Sequence, residues 1–440
     1  MTQNKLLMSE SDGPTILHER LVSLDILRGL AILMILFVNM PTFVAPYLFD
    51  PVPLIHGATD RSIRLIFDLL IENRFYPIFS FLFGAGFYIF MTRLKTRGLP
   101  AGWYYVRRMV ILLLFGLLHM LVFWPGDILH TYALLGFVLL LFLGRAPKTV
   151  FIWASVLLVL NVLLYGLIAV PQTWLWNTAV RVLETSSTQT LGSDLQWVLQ
   201  SAHSINAALQ PNLERMNAAM HVYTDGDWGS WIMFHLRQEM PMVFQREIFA
   251  LMGVFPFMLF GLYAAKRGIF YHPTDSRRGL MRLLMITTAI SIPLELLILY
   301  LSLTPSPESL LRLQGFVVQL WAGLAGWAMS FLYLALYFLW GVGERWQKRL
   351  RFLAPVGRMA LSNYLMQTIL MTLMVRVFGL YGKTPLWLGL LMVLILLPIN
   401  IVGSHMWLRT FRYGPFEYIW RAGTYGRLFP LREPCLKTKR

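Results

Sequence analysis

The chain is short of charge, of acids and of cysteine. Only 14% of its 440 residues are Asp, Glu, Lys or Arg, where a soluble chain carries about a quarter. So few charges cannot cover a globular surface in water, which excludes an ordinary soluble domain. The single cysteine, Cys435, stands near the C-terminus. A disulfide framework and a cysteine-based metal site are therefore excluded. Acids number 22 against 38 bases, a formal net charge of +16. No nucleic-acid motif accompanies that excess, so nucleic acid is not an expected partner. There is no metal-ligand spacing, no Gly-x-Ser-x-Gly, no P-loop and no dinucleotide fingerprint. No metal is expected, and any catalysis must assemble its groups from separate segments. Residues 1–20 are polar without an apolar core, so no cleavable signal peptide is expected before the first apolar run.

Apolar residues are what the chain has in abundance, at 57%. They form runs of around 20 residues from end to end, the length a helix needs to cross a bilayer. The expected fold is all-α: a polytopic membrane protein of about ten transmembrane helices with both termini cytoplasmic. The spans fall near 24–44, 75–92, 109–124, 129–143, 150–170, 247–265, 283–303, 314–340, 359–378 and 385–407. Alternate short connections hold the bases: Arg93, Lys95, Arg97, Arg107 and Arg108; Arg145 and Lys148; Lys266 to Arg282; Arg345 to Arg358. Ten spans satisfy the positive-inside bias at every short loop. Four regions follow: five helices in 1–170, an outer helical cap in 171–246, five helices in 247–407 and a basic tail in 408–440. Phe81-Leu-Phe-Gly84 is echoed by Leu259-Phe-Gly261, but both segments run in the same direction. They read as small-residue spans ending in a basic stop, not as a transporter's inverted repeat.

Polar groups inside spans are costly and mark candidate sites. On the first span Asp25, Arg28 and Asn39 share one narrow arc at about 100° per residue. They read equally as a cavity wall or as an ion pair with packing glue. Glu72 and Arg74 enter the second span from outside, where a surface ion pair is the plainer reading. His119 lies about ten residues into the third span, roughly 15 Å deep, and Asp127 sits at the Pro-Gly turn beyond it. An imidazole oriented by a carboxylate can move a proton near neutral pH. In a straight helix these two stand too far apart to bond, so a core histidine and a helix cap remain open. His56, Asp60, Asp68 and Glu72 are further acid–base candidates, and Glu295 needs a buried partner.

These residues fall in longer motifs. Leu24-Asp25-Ile-Leu-Arg28-Gly29, Phe37-Val-Asn39, Glu72-x-Arg74-Phe and Phe79-Ser-Phe-Leu-Phe-Gly84-x-Gly86 come first. Leu118-His119 through Trp124-x-Gly126-Asp127, Gly357-Arg358 through Asn363-Tyr364, and Gly414-Pro-Phe-Glu417 through Trp420-Arg421 follow. With these marks the chain resembles the YeiB-type family of bacterial inner-membrane proteins of unknown function, over nearly its whole length. That resemblance implies a multi-pass protein of the bacterial inner membrane. The first span also resembles those of multipass membrane acyltransferases, among them heparan-α-glucosaminide N-acetyltransferase and bacterial O-acyltransferases. Those enzymes carry an acyl group from cytoplasmic acyl-CoA to a sugar outside. The O-acyltransferases have histidine where this chain has Asn39, and an amide cannot act as a base.

The wider resemblance implies an acyltransferase-like protein that moves an acyl group from acyl-CoA to an envelope glycan or lipid, with 1–170 as its acyltransferase-like part. In that role Arg107 and Arg108 would hold the donor's phosphates. Asp25 and Arg28 would line the tunnel, and Asn39 would polarise the thioester. His119 or His56 would be the base. Asp127, Glu72 and Arg74 complete the candidate set. The alternative is a membrane transporter or exporter of a small molecule or lipid, which the intramembrane charges also suit.

Overall fold

The computed structural model describes residues 21–46, 57–164, 214–271, 275–303 and 308–432. Among them the secondary structure is helical, apart from an isolated bridge between Phe411 and Arg432. In chain order the helices are α1 (Val22–Val44), α2 (Gly57–Leu70), α3 (Phe75–Thr96), α4 (Ala101–Val122), α5 (Leu129–Leu139) and α6 (Pro147–Leu164). A helical stretch over 214–225 precedes α7 (Trp228–Phe234), a π-helical turn His235–Glu239 and α8 (Met240–Lys266). Then come α9 (Arg277–Leu303), α10 (Glu308–Leu336), α11 (Glu344–Leu350), α12 (Ala354–Arg358), α13 (Ala360–Val377), α14 (Leu386–Thr410) and α15 (Pro415–Tyr425).

The protein is an all-α polytopic membrane protein. Seven of the described helical stretches are long and apolar enough to cross a bilayer, and the bent pair Trp228–Gln245 and Ala250–Lys266 makes an eighth as a broken span. Each of the ten expected spans overlaps a described helix, and residues 165–170 of the fifth lie outside the described residues. Two of them lie outside those eight. Leu129–Phe142 is apolar but short, and α13 is interrupted by Ser362, Asn363, Gln367 and Thr368, all buried.

The first span is the central post. α1 packs against α3, α12, α13 and α14, and Ile26, Ala31, Ile32 and Leu36 on it are almost fully buried. Its contact with α12 is backbone on backbone. A Cβ added to Gly29 would lie 2.2 Å from the Leu353 carbonyl, and one added to Gly357 would lie 1.8 Å from that of Asp25. Small residues allow such approach where lipid supplies no hydrophobic drive. The two echoing glycine segments pair in the same way. A Cβ on Gly84 of α3 would meet the Met258 carbonyl at 1.8 Å, and one on Gly261 of α8 the Phe81 carbonyl at 1.8 Å. The echo is thus a packing device, with each segment the other's partner.

Polar side chains tie the bundle together. Gln367 Nε2 donates to the Ile32 carbonyl (3.4 Å), Asn363 Nδ2 to Ser404 Oγ (2.9 Å) and Tyr337 Oη to the Ser23 carbonyl (2.6 Å). Arg74 forms a buried ion pair with Glu295 of α9. Beyond the last long helix the chain is helical again. It forms α15, whose Trp420 Nε1 donates to the Arg108 carbonyl at 2.8 Å and docks the helix on α4.

Candidate functional site

A cavity of about 280 Å³ runs along α1, α3 and α4 and is closed by α5, α12, α13 and α15. On α3 its wall extends from Phe79 to Arg97, about 27 Å at 1.5 Å per residue. That is most of a hydrocarbon core of about 30 Å. The two ends differ in chemistry. One end carries six arginines, Arg28, Arg93, Arg97, Arg108, Arg358 and Arg421, against two carboxylates, Asp25 and Glu417. The other is apolar and aromatic, with Ile35, Phe79, Leu129, Tyr132 and Tyr364.

Local folding explains the basic end. Asp25 and Arg28 stand one turn apart on α1 and pair at 2.9 Å. Arg108 lies with its guanidinium carbon 3.5 Å from the Trp420 ring centre and 5.2 Å from that of Phe90. Aromatic faces of this kind hold a guanidinium in place while its edge still donates. Glu417 of α15 is buried. It accepts from the Leu361 amide at 2.7 Å, the Ser362 amide at 3.1 Å and the Ser362 hydroxyl, capping the start of α13. Burial pushes its carboxyl above the usual range, while the bonds from Ser362 and Leu361 pull it back. On the cavity wall, the Tyr105 hydroxyl is buried with no hydrogen bond among the described residues. It is available to a polar ligand.

Beyond the aromatic end lies the histidine pair, and here the structure corrects the expected separation. α4 stops at Val122, and Phe123 and Trp124 turn their amides onto the His119 carbonyl at 2.9 and 3.1 Å. The Pro125-Gly126 turn then carries the chain back, so Asp127 returns to the level of His119. His119 Nδ1 and Asp127 Oδ1 are 2.8 Å apart. Gly116, one turn before His119, makes room: a Cβ there would lie 2.4 Å from the His130 amide nitrogen and 2.8 Å from Asp127 Oδ2. The straight-helix separation failed because the chain reverses within three residues.

This pair sets the chemistry of His119. A carboxylate only accepts, so the Nδ1 proton points at Asp127 and the neutral ring keeps its lone pair on Nε2. Nε2 is buried with no hydrogen bond among the described residues. The geometry leaves that nitrogen able to accept a proton. The ring packs 5.3 Å from that of Tyr364, and Tyr364 lines the cavity. One tyrosine therefore stands between the imidazole and the aromatic end. Asp127 continues the contacts on its far side. Oδ2 accepts from the His130 amide at 3.0 Å and meets His130 Nδ1 at 3.0 Å. His130 Nε2 in turn meets Glu247 Oε2 at 3.1 Å.

The other expected site residues fall in different places. Asp25, Arg28 and Arg108 line the cavity. Arg107 does not; it donates to the Gly423 carbonyl at 2.7 Å and helps hold α15. Asn39 lies beyond the cavity, whose wall on α1 ends at Ile35, so the expected arc is only partly a cavity wall. Glu72 pairs with Arg64 at the α2–α3 turn, away from His119. Arg74 is committed to Glu295, the partner that Glu295 needed. Asp60 is buried and accepts from the Trp387 amide at 3.1 Å, capping α14. His56 lies outside the described residues. His130, Glu247, Tyr105 and the arginines from the inner loops and α15 were not singled out from sequence. Gly357-Arg358 and Trp420-Arg421 were visible as motifs, without a sign that they meet.

Comparison with other proteins places the chain in a family. Residues 264–427 match the family described as "Protein of unknown function (DUF418)". The chain is 33% identical to "Uncharacterized protein YxaH" of Bacillus subtilis (strain 168), over 94% of its own length and 96% of that protein. It is also 28% identical to "Uncharacterized protein YeiB" of Escherichia coli (strain K12), over 92% and 96% of the two chains. The chain belongs to the YeiB-type DUF418 family. A third relative, from Bacillus acidopullulyticus, is 27% identical over 95% of this chain and 97% of its own. No solved structure matches the chain. The matched DUF418 segment supplies Arg358, Tyr364, Glu417 and Arg421 to the cavity, while α1, α3 and α4 lie outside it. Among the described residues no cluster of His, Cys, Asp or Glu is arranged to hold a metal ion.

Proposed function

We propose that this DUF418 protein is an acyltransferase-like enzyme of the bacterial inner membrane. It would move an acyl group from cytoplasmic acyl-CoA to an envelope glycan or lipid acceptor. The supporting observation is the two-ended cavity, with arginines at one end and the His119–Asp127 pair one side chain beyond the other. α4 alone carries Arg108 and His119, eleven positions and about 16 Å apart. Under the ten-span arrangement with both termini inside, the arginines face the cytoplasm and the histidine lies toward the outer half. Of the expected outer cap in 171–246, residues 171–213 lie outside the described residues.

The chemistry follows from those positions. Guanidinium groups bind the coenzyme's phosphates as forks of donors. The apolar length of the cavity holds the pantetheine arm and the acyl group, and Tyr105 offers the arm a hydrogen bond. Tyr364 must swing aside for the thioester to reach His119. His119 Nε2 then takes the proton of the acceptor's hydroxyl or amine as it attacks the thioester carbon. The C–S bond breaks, and the departing thiolate takes a proton to leave as the thiol. A transport role draws less support, because Glu295, the intramembrane acid it would use, is held by Arg74.

Calorimetry on the purified protein in nanodiscs tests the donor site. Acetyl-CoA is expected to bind, and Arg108→Glu to weaken it by at least tenfold. Absence of binding across a panel of acyl-CoAs would end the proposal.

A further inference from the structure

We propose that His130 and Glu247 extend the His119–Asp127 pair into a four-member proton relay, with Glu247 as the store for the proton His119 removes. The inference rests on the reading of His119 as a base.

Four side chains from three elements and one turn meet in sequence. The contacts are 2.8 Å from His119 to Asp127, 3.0 Å from Asp127 to His130 and 3.1 Å from His130 to Glu247. Side-chain exposures along the chain are 2%, 0%, 1% and 11%. Three members are sealed and Glu247 alone touches its surroundings. Both ends are open, because His119 Nε2 and Glu247 Oε1 are buried without a hydrogen bond among the described residues.

Proton counting gives the arrangement its meaning. Each of the three contacts needs one proton. Two imidazoles and two carboxylates sharing three protons carry one net negative charge. A buried uncompensated charge is costly, so the cluster favours taking one more proton. His119 Nε2 is where it can enter. With His130 held as an imidazolium between the two carboxylates, protons then move at the first and third contacts. An N–H bond forms at His119 Nε2 while that at Nδ1 breaks and Asp127 Oδ1 gains the proton. Asp127, now neutral, no longer stabilises the His130 imidazolium, which keeps its Nδ1 proton toward Asp127 Oδ2. His130 Nε2 gives its own to Glu247 Oε2. Four neutral groups result. When the thiolate leaves, the same shifts run backward and His119 Nε2 protonates it, so no outside reactant is consumed. His130 and Glu247 are positioning residues in this scheme, since they act only through Asp127 and His119.

Two measurements on the full-length protein in nanodiscs test it. The first needs no turnover: nitrogen-15 spectra of histidine-labelled protein, assigned with His119→Gln and His130→Gln. The expected spectra show His119 protonated at Nδ1 with Nε2 bare. His130 Nε2 is protonated in the wild type and Glu247→Asp, and bare in Glu247→Gln. A His130 signal that Glu247→Gln leaves unchanged, or a protonated His119 Nε2, overturns the relay. The second is a solvent-deuterium inventory of thioester turnover. A curved dependence is expected for wild type and Glu247→Asp, and a linear one for Glu247→Gln, with a rate lower by up to about 10²-fold because His119 itself remains. A linear wild-type inventory also overturns the relay. Absence of turnover counts against acyl transfer, and the spectra still decide the relay.

Discussion

His119 is paired with a residue eight positions further along the chain, and the proposed base is made by that pairing. Its depth in α4 would suit a core histidine equally well. The 2.8 Å contact with Asp127 fixes the proton on Nδ1 and bares Nε2. Asp127→Asn reverses that logic. Its amide can donate to Nδ1 and force the proton onto Nε2, as in other histidine–carboxylate pairs where the change costs about 10⁴ in rate. The expected outcome is loss of thioester turnover by about 10²-fold or more with donor binding retained. Donor calorimetry beside a turnover assay measures both. Retained turnover would show that the pair does not set the tautomer. The residue types and the turn were readable from sequence. Their contact was not, because it depends on where α4 stops and on Gly116 having no side chain. Arg107 and Arg108 show the same limit. Adjacent arginines project about 100° apart on a helix, and only one of them meets the cavity.

At the scale of elements, glycine identity is specified by backbone contact. Gly84 and Gly86 lie two residues apart on α3 and would pass as equivalent. Around Gly84 a Cβ would strike the Met258 backbone, whereas around Gly86 nothing lies within 4 Å. Gly84→Ala is therefore expected to separate α3 from α8 and lower the melting temperature in detergent by several degrees. Gly86→Ala should melt at or above the wild type, since alanine is favoured over glycine in a helix by about 1 kcal/mol. Equal melting of the two variants would contradict the packing account. The long helices were legible because an apolar run of bilayer length has few other uses. The docked α15 was not legible. Its short amphipathic sequence reads as tail until Glu417 is seen capping α13 and Trp420 covering Arg108.

For the whole molecule, the two-ended cavity needs a direction across the membrane. The bases in alternate connections lead to the expectation that its arginine end faces the cytoplasm. A reporter active only outside the cytoplasm, fused near residue 200, should be active and one near residue 100 inactive. The opposite pattern would turn the arginines away from any cytoplasmic donor. The all-helical, membrane-spanning character was foreseeable from hydropathy, but not the cavity between the helices. It is assembled from residues as far apart as Asp25 and Tyr425, which local pattern cannot relate. Of the polar stripe on α1, Asp25 and Arg28 belong to the cavity and Asn39 does not. In the proposed mechanism, proton transfer falls to α4 and its returning turn. The most direct measurement is thioester turnover by the purified protein in nanodiscs, supplied with labelled acetyl-CoA and an envelope glycolipid extract. The account predicts thiol release and label transfer by the wild type, and unchanged donor binding with turnover lower by about 10²-fold or more in His119→Ala. Equal turnover in the two proteins, or none in the wild type with any acyl-CoA offered, would contradict it.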